Sequence, residues 1–221
     1  MDIFDIIGPV MIGPSSSHTA GAVRMGNLAA ELLDDEISSA VIYLHGSFAL
    51  TAKGHGTERA IAGGLLGFSP DDERIRESLE YASDAGVDCR FIETNLGSSV
   101  HPNTAQIIAT GKNSSRINLQ FSSIGGGRII LNEIDSVKVR YEGRYPTLII
   151  FNKNVPGVVV SVSGIIAEAG INIAQMRVYG QEESDNAVMI INMNKSVDRN
   201  FTGRFKSLPE INKVIYLDRL Y

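Results

Sequence analysis

Between residues 147 and 217 the chain runs through strand and helix patterns in an order that leaves few architectures open. Residues 147–151 read as a strand. Pro156-Gly157 then open a helix whose stripe, Val158, Val162, Ile165, Ile166 and Ala169, keeps helical spacing and ends at Gly170. Strands over 172–179 and 187–193 follow, parted by a polar turn around 182–186. A second helix, capped by Asp198, sets Phe201, Phe205 and Leu208 on one face, and residues 211–217 form the last strand. The order β-α-β-β-α-β predicts a four-stranded antiparallel sheet with both helices on one face.

Composition changes just ahead of this unit, at Tyr141-Glu142-Gly143-Arg144-Tyr145-Pro146, which reads as a linker between a domain of residues 1–140 and one of residues 146–221. The first domain has the pattern of a mixed α/β fold. A helix starting near Thr19 carries Ala22, Met25, Ala29, Leu32 and Leu33 at helical spacing, and a strand over 40–46 follows. Thr57 is placed to cap a helix over 58–66, and residues 70–85 read as a polar helix with a solvated face. After a strand over 89–93, residues 105–139 are strand-like, interrupted by Ser122-Ser123-Ile124-Gly125-Gly126-Gly127. That glycine run reads more readily as a hairpin end than as an anion cradle.

Three polar clusters stand out in the first domain. Gly13-Pro14-Ser15-Ser16-Ser17-His18-Thr19-Ala20-Gly21 places five consecutive polar side chains between a Gly-Pro breaker and the first helix. Unpaired N–H groups and the positive end of the helix dipole meet there, a ready site for a carboxylate or phosphate. The plainer alternative is that one serine caps the helix and His18 lies on the surface. His55 sits between Gly54 and Gly56 in Lys53-Gly54-His55-Gly56-Thr57, either as a presented imidazole or as a turn residue without a task. In His101-Pro102-Asn103-Thr104 the proline holds a histidine and an amide in a defined pose, although structural turns use the same residues. His45, at a strand end, reads as structural.

A net charge of -5 argues against nucleic-acid and acidic-membrane partners, which need a basic face. Cys89 is the single cysteine, which excludes a disulfide framework and a thiolate-built metal or cluster site in this chain. The acidic start, with its apolar run broken by Pro9 and Pro14, is unlike a signal peptide or a membrane span, and a cytoplasmic protein is expected.

Asn152-Lys153-Asn154-Val155-Pro156-Gly157-Val158 and Gly170-Ile171-Asn172-Ile173-Ala174 resemble the signatures at the two ends of the first helix of ACT domains, ferredoxin-like modules that often bind amino acids. The three polar clusters, in this order and together with those signatures, resemble the β subunit of the two-subunit, iron-sulfur-dependent L-serine dehydratases over essentially the whole chain. Glu58 departs from the aspartate expected inside the second cluster and preserves its charge.

The resemblance implies a first domain similar to the allosteric substrate-binding domain of some phosphoglycerate dehydrogenases. It also implies a reaction: L-serine loses water, and the aminoacrylate formed becomes an imine that hydrolyses to pyruvate and ammonia. A [4Fe-4S] cluster with one open iron serves as Lewis acid in that family. Three cysteines must hold it, so the cluster is expected on a separate α subunit and no metal site is expected here. Ser15, Ser16, Ser17, His18 and Thr19 are the expected carboxylate site, with His55 and His101 to orient substrate or relay protons and Asn103 as a fixed donor. In the ACT domain Asn152 or Asn154 is expected near Asn172, because the strands from Thr147 and Asn172 are read as the central pair; with Gly157 they would hold an amino-acid effector, L-serine itself, at a homodimer interface. The competing class is a non-catalytic amino-acid sensor, against which the three clusters speak. A phosphoglycerate dehydrogenase fragment lacks support, since the chain has no G-x-G-x-x-G strand-helix unit.

Overall fold

The computed structural model describes residues 9–180 and 184–221, with the side chains of Ala52 and Lys53 excepted. The chain divides into two compact units, Met1–Ser136 and Val137–Tyr221. In the first, α1 (Ala22–Leu33) buries the stripe read from the sequence: Ala22, Met25, Ala29, Leu32 and Leu33 are all in the core. It does not begin from a free loop. A π-helical turn, Ser17–Gly21, runs straight into it, so Ser17, His18 and Thr19 already lie on the helical path.

Strand β1 (Ile37–Gly46) leads directly into α2 (Ser47–His55), and α3 (Thr57–Leu65) follows after the single residue Gly56. Lys53-Gly54-His55 is therefore the end of a helix rather than an open turn. The direction change falls on Gly56 alone, which has φ 72°. Thr57 does not cap α3: it is the first helical residue, and its buried hydroxyl has no hydrogen-bond partner among the described residues. Helices α1 and α3 cross where Gly26 faces Gly64, and a Cβ on Gly64 would run into the backbone of Val23 and Asn27. The polar helix expected over 70–85 is a 3-10 turn, Glu73–Glu77, followed by α4 (Ser78–Asp84); Asp72 starts it by accepting the Arg74 N–H at 2.9 Å.

Strands β2 (Asp88–Thr94), β3 (Asn103–Gly111), β4 (Arg116–Gly125) and β5 (Arg128–Ile134) join β1 in one sheet, where this unit's strands run in the order β2-β1-β3-β4-β5. β2 is parallel to β1, with Ile42 opposite Phe91, and the remaining neighbours are antiparallel. The glycine run closes the β4–β5 hairpin, with Gly125 opposite Arg128. Helix α1 lies against β3 and β4, over Ile107, Leu119 and Phe121 of the core.

The second unit opens with β6 (Val137–Tyr141) and continues through β7 (Thr147–Lys153), α5 (Val158–Glu168), β8 (Ile173–Gly180), β9 (Asn186–Met193), a 3-10 helix Arg199–Phe205 and β10 (Ile211–Leu217). Part of the turn expected at 182–186 lies outside the described residues. Strands β7 to β10 form one antiparallel sheet around Leu148, Ile150, Val162, Ile166, Met189, Ile191 and Phe205. This is the β-α-β-β-α-β sandwich, with its second helix tightened to 3-10 form after Asp198, which accepts the Asn200 N–H at 2.7 Å.

One expectation fails here. The sheet order is β10-β7-β9-β8, so β7 is paired with β9, and β8 stands at the edge. The crossover through α5 sets β8 parallel to β7 but leaves one strand position between them, and β9 fills it by hairpin return. Asn152 faces Ala187, which faces Gly180 at the end of β8; Asn172 precedes the opposite end, where Ile173 faces Met193. Within one chain Asn152 and Asn154 are thus a full strand length away from Asn172.

Candidate active site

The three clusters of the first domain meet at the carboxyl end of β1, the place where α/β sheets commonly receive ligands. The joint is Gly46-Ser47. Ser47 donates its N–H to the Pro102 carbonyl at 2.8 Å, drawing in the His101-Pro102-Asn103 turn, while Gly46 is paired with Asn103 and His45 with Thr104. The Ser47 hydroxyl lies 3.2 Å from His18 Nε2, and Ser15 Oγ lies 3.1 Å from His18 Nδ1. Both ring nitrogens of a buried imidazole are therefore satisfied by serine hydroxyls, one from just ahead of the π turn and one from the first residue of α2, where β1 ends. His55, at the end of α2, brings its ring edge-on to His18 with centroids 5.0 Å apart, and Phe48 packs at the same distance.

His18 is 7% exposed, so it is a core histidine and not the surface residue of the plainer alternative. Its pKa is held below the ordinary 6.5, first by burial and then by the neighbouring His55; a hydrogen bond to Ser47 opposes both. Ser15 does cap, accepting the His18 N–H at 3.3 Å. Ser16 makes no capping bond, and the half-buried hydroxyls of Ser16 and Ser17 have no hydrogen-bond partner among the described residues. Thr19 is 2% exposed and its hydroxyl is likewise without a partner.

Thr19 lines a pocket of about 260 Å³ together with Gly13, Pro14, His55, Arg59 and Arg76. Arg76 is engaged by Glu73 at 3.2 Å, whereas Arg59 has no ion-pair partner among the described residues. A buried orphan hydroxyl, an unpaired guanidinium and the start of a helix thus face one space, a suitable receptor for a small carboxylate. His101 is exposed and its Nδ1 accepts the Asn103 N–H at 3.1 Å, while the half-buried Asn103 amide is uncommitted. Behind the turn, Thr104 Oγ1 and Ser122 Oγ lie 2.8 Å apart, and Asn132 donates to Ser122 at 2.8 Å.

Sequence reasoning missed Ser47 and Arg59. Ser47 had a readable signal, a Gly-Ser pair where a strand runs into a helix. Arg59 had none beyond its place after the second cluster. His45 is structural as read, its Nδ1 accepting the Leu96 N–H at 3.1 Å.

In the second unit, Asn152 is buried and donates to the Lys153 carbonyl at 2.7 Å. Asn154 does not cap α5. Its amide donates to the Ser184 carbonyl at 3.4 Å, and the α5 N-cap is Gly157 at φ 91°. Asn172 accepts no such role there; its N–H goes to Asn194 Oδ1 at 3.2 Å.

The residues present do not fit an iron-sulfur cluster. The Cys89 thiol is pushed up to about 11, by burial and then by the Asp88 charge, which keeps it protonated. Among the described residues no three His, Cys, Asp or Glu side chains gather as a metal site. No helix among them is long and apolar enough to cross a membrane.

A pocket beside the carboxyl end of β1 in a mixed α/β unit, followed along the chain by a ferredoxin-like module, defines a two-unit α/β protein. Residues 1–88 match the serine dehydratase beta chain family, and residues 146–210 match the ACT domain. The chain is 39% identical, over 96% of its length and of the relative's, to the probable L-serine dehydratase beta chain of Bacillus subtilis (strain 168). It is 37% identical to the L-serine dehydratase beta chain of Peptoniphilus asaccharolyticus, over 92% of this chain and 90% of that one. With L-serine dehydratase 2 of Escherichia coli (strain K12) it shares 29% identity over 75% of its own length, a match that spans 42% of that protein. The chain belongs to the serine dehydratase beta chain family.

The depressed pKa of His18 sets a direction for stability against pH. An unfolded chain takes up the proton below about 6.5 while the folded one resists it, so this contribution is intact above that pH and is lost as the pH falls. Denaturant melts between about pH 8 and pH 5 should show the loss, and His18→Gln should flatten it. An equally steep loss in the variant would place the titration elsewhere.

Proposed function

We propose that this chain is the β subunit of an L-serine ammonia-lyase, which converts L-serine to pyruvate and ammonia together with a separate α subunit. The observation that carries the reading is the meeting of all three polar clusters at Gly46-Ser47, with hydroxyls left uncommitted beside an unpaired arginine. The names of the two beta-chain relatives support it. So does the match to under half of a longer L-serine dehydratase, as expected if the other half of the enzyme is a second chain.

The substrate carboxylate lies against the Ser16, Ser17 and Thr19 hydroxyls and Arg59, where charge that develops on it is also stabilised. His18, held neutral, and His55 are placed to hold or pass the α-proton, and His101 with Asn103 orient the substrate from the other side of Ser47. The cluster implied by the family is assigned to the α subunit of a cytoplasmic enzyme, where it supplies Lewis acidity toward the substrate hydroxyl. Anaerobic mixing of this chain with a cluster-bearing α subunit should give pyruvate formation that neither gives alone. In that complex Arg59→Ala and Thr19→Val should mainly raise KM, and His18→Gln should lower kcat by at least ~10²-fold, the scale of a positioned acid–base group. Full activity of this chain with iron and sulfide alone, or variants that shift only Tm, would contradict the reading.

The ACT domain is proposed to make the chain a homodimer that senses L-serine. Among the described residues edge strand β8 is unpaired on its outer side, and Val155 before α5, Val159 and Val160 on α5 and Val178 on β8 are exposed, from 43% to 74%. Two β8 strands paired antiparallel about a two-fold axis set the start of one opposite the end of the other. Asn172 of one copy then meets Asn154 and Gly157 of the second, which reunites the residues that a single chain separates. Calorimetry on the full chain carrying Arg59→Ala, which silences the substrate site, should show L-serine binding abolished by adding Asn154→Ala or Asn172→Ala alone and partly restored when the two variants are mixed. A monomeric chain, or no recovery on mixing, would defeat the composite site.

A further inference from the structure

The second unit holds a pocket that neither the dehydration chemistry nor the Asn154–Asn172 site employs. It has a volume of about 240 Å³ and lies between the segment 140–145 and the sheet face turned away from α5. Gln175 and Arg177 from β8 and Ile190 and Asn192 from β9 form its floor, and Arg140, Glu142 and Arg144 reach it from the segment. The segment is tied down on both sides: Arg140 N–H donates to Tyr179 Oη at 3.2 Å, and Leu220 N–H donates to the Gly143 carbonyl at 2.9 Å.

Charge in this pocket does not balance. Glu142 accepts Arg140 at 2.6 Å and Arg144 at 3.1 Å, so one carboxylate already serves two guanidinium groups. Arg177 has no ion-pair or hydrogen-bond partner among the described residues. Three arginines against one glutamate leave two positive charges at a single concavity, in a chain whose net charge is -5. The floor adds hydrogen-bond donors. Thr147 Oγ1 is shared between the Tyr145 carbonyl at 2.8 Å and Asn192 Oδ1 at 2.9 Å, which turns the Asn192 amide nitrogen to Gln175 Oε1 at 3.3 Å. The Gln175 amide nitrogen is then left to the pocket.

We propose that this pocket binds a small organic or inorganic dianion, held by Arg177 with Arg144 and the Gln175 amide. A cavity of about 150 Å³ is enough for benzene, so this volume takes a four- or five-carbon dicarboxylate or a phosphate group. Two guanidinium groups with a fixed amide donor match carboxylate or phosphate oxygens in geometry as well as charge. The site is separate from Asn154, which lies near Gly180 at the far end of β8 from Gln175.

Calorimetry on the full chain, in a buffer free of carboxylate and phosphate, would use succinate, inorganic phosphate and uncharged succinamide as probes. In a chain carrying Arg59→Ala, which removes the carboxylate receptor of the first domain, succinate or phosphate should bind once per chain, weaken with added salt, and weaken at least ~10-fold when Arg177→Ala is added, with Arg177→Lys in between. Which of the two anions binds more tightly distinguishes a dicarboxylate from a phosphate ligand. Asn154→Ala with Asn172→Ala should leave this binding unchanged. Arg177 is exposed, so an unaltered Tm is expected in its variants, and Gln175→Ala gives a second reading of the same site. Absence of binding by both anions, equal binding of succinamide, an unchanged affinity in Arg177→Ala, or loss in the asparagine double variant would each overturn the proposal.

Discussion

The first domain depends on the bridge Ser15–His18–Ser47. A buried imidazole has two polar nitrogens, and leaving either without a partner costs on the order of 1–3 kcal/mol. Here each is met by a serine hydroxyl, at 3.1 Å and 3.2 Å. The two serines come from segments 32 residues apart in sequence, so one side chain fixes the π turn against the carboxyl end of β1. Ser47 passes the constraint on through its N–H to Pro102. The positions of all three clusters follow from this joint, and Phe48 and His55 enclose the imidazole that forms it.

What surrounds the bridge is not optimised for stability. Thr19, Thr57 and Ser123 bury hydroxyls that have no partner among the described residues, and Ser123 Oγ lies so near Gly21 that a Cβ there would collide with it. Departures of this kind from polar satisfaction are expected where a chain is shaped for a ligand instead of for itself. The same contrast marks the second unit. Its core of apolar side chains is buried, while Arg177 and the outer edge of β8 have no partner among the described residues.

Much of this was legible in the sequence, for identifiable reasons. The α1 and α5 stripes could be read because helix periodicity is local, and the β4–β5 hairpin because Gly125, Gly126 and Gly127 adopt positive φ as glycines do. The serine cluster pointed to more than a cap because five polar residues exceed what a cap requires, and Ser15 and His18 do reach beyond the helix start. Strand order could not be read in the same way: whether β8 or β9 lies beside β7 is decided by pairing across the sheet. For that reason Asn152, Asn154 and Asn172 were expected together and lie apart. Glycines on both sides of His55 suggested a turn, yet Gly54 is tolerated in α2 and only Gly56 breaks it. Ser47 was passed over because its importance comes from residues 29 and 55 positions away.

The most direct test of the account is a double-mutant cycle between His18 and Ser47. Stability of the chain would be measured for His18→Gln, Ser47→Ala and the pair, with activity of the reconstituted complex followed in parallel. If the imidazole joins the serine turn to the end of β1, the two losses should fall short of additivity by about 1 kcal/mol or more in stability, and the second substitution should add little to the loss of rate. Losses that add within about 0.3–0.5 kcal/mol, with each variant lowering the rate independently, would contradict the bridge as the organising contact.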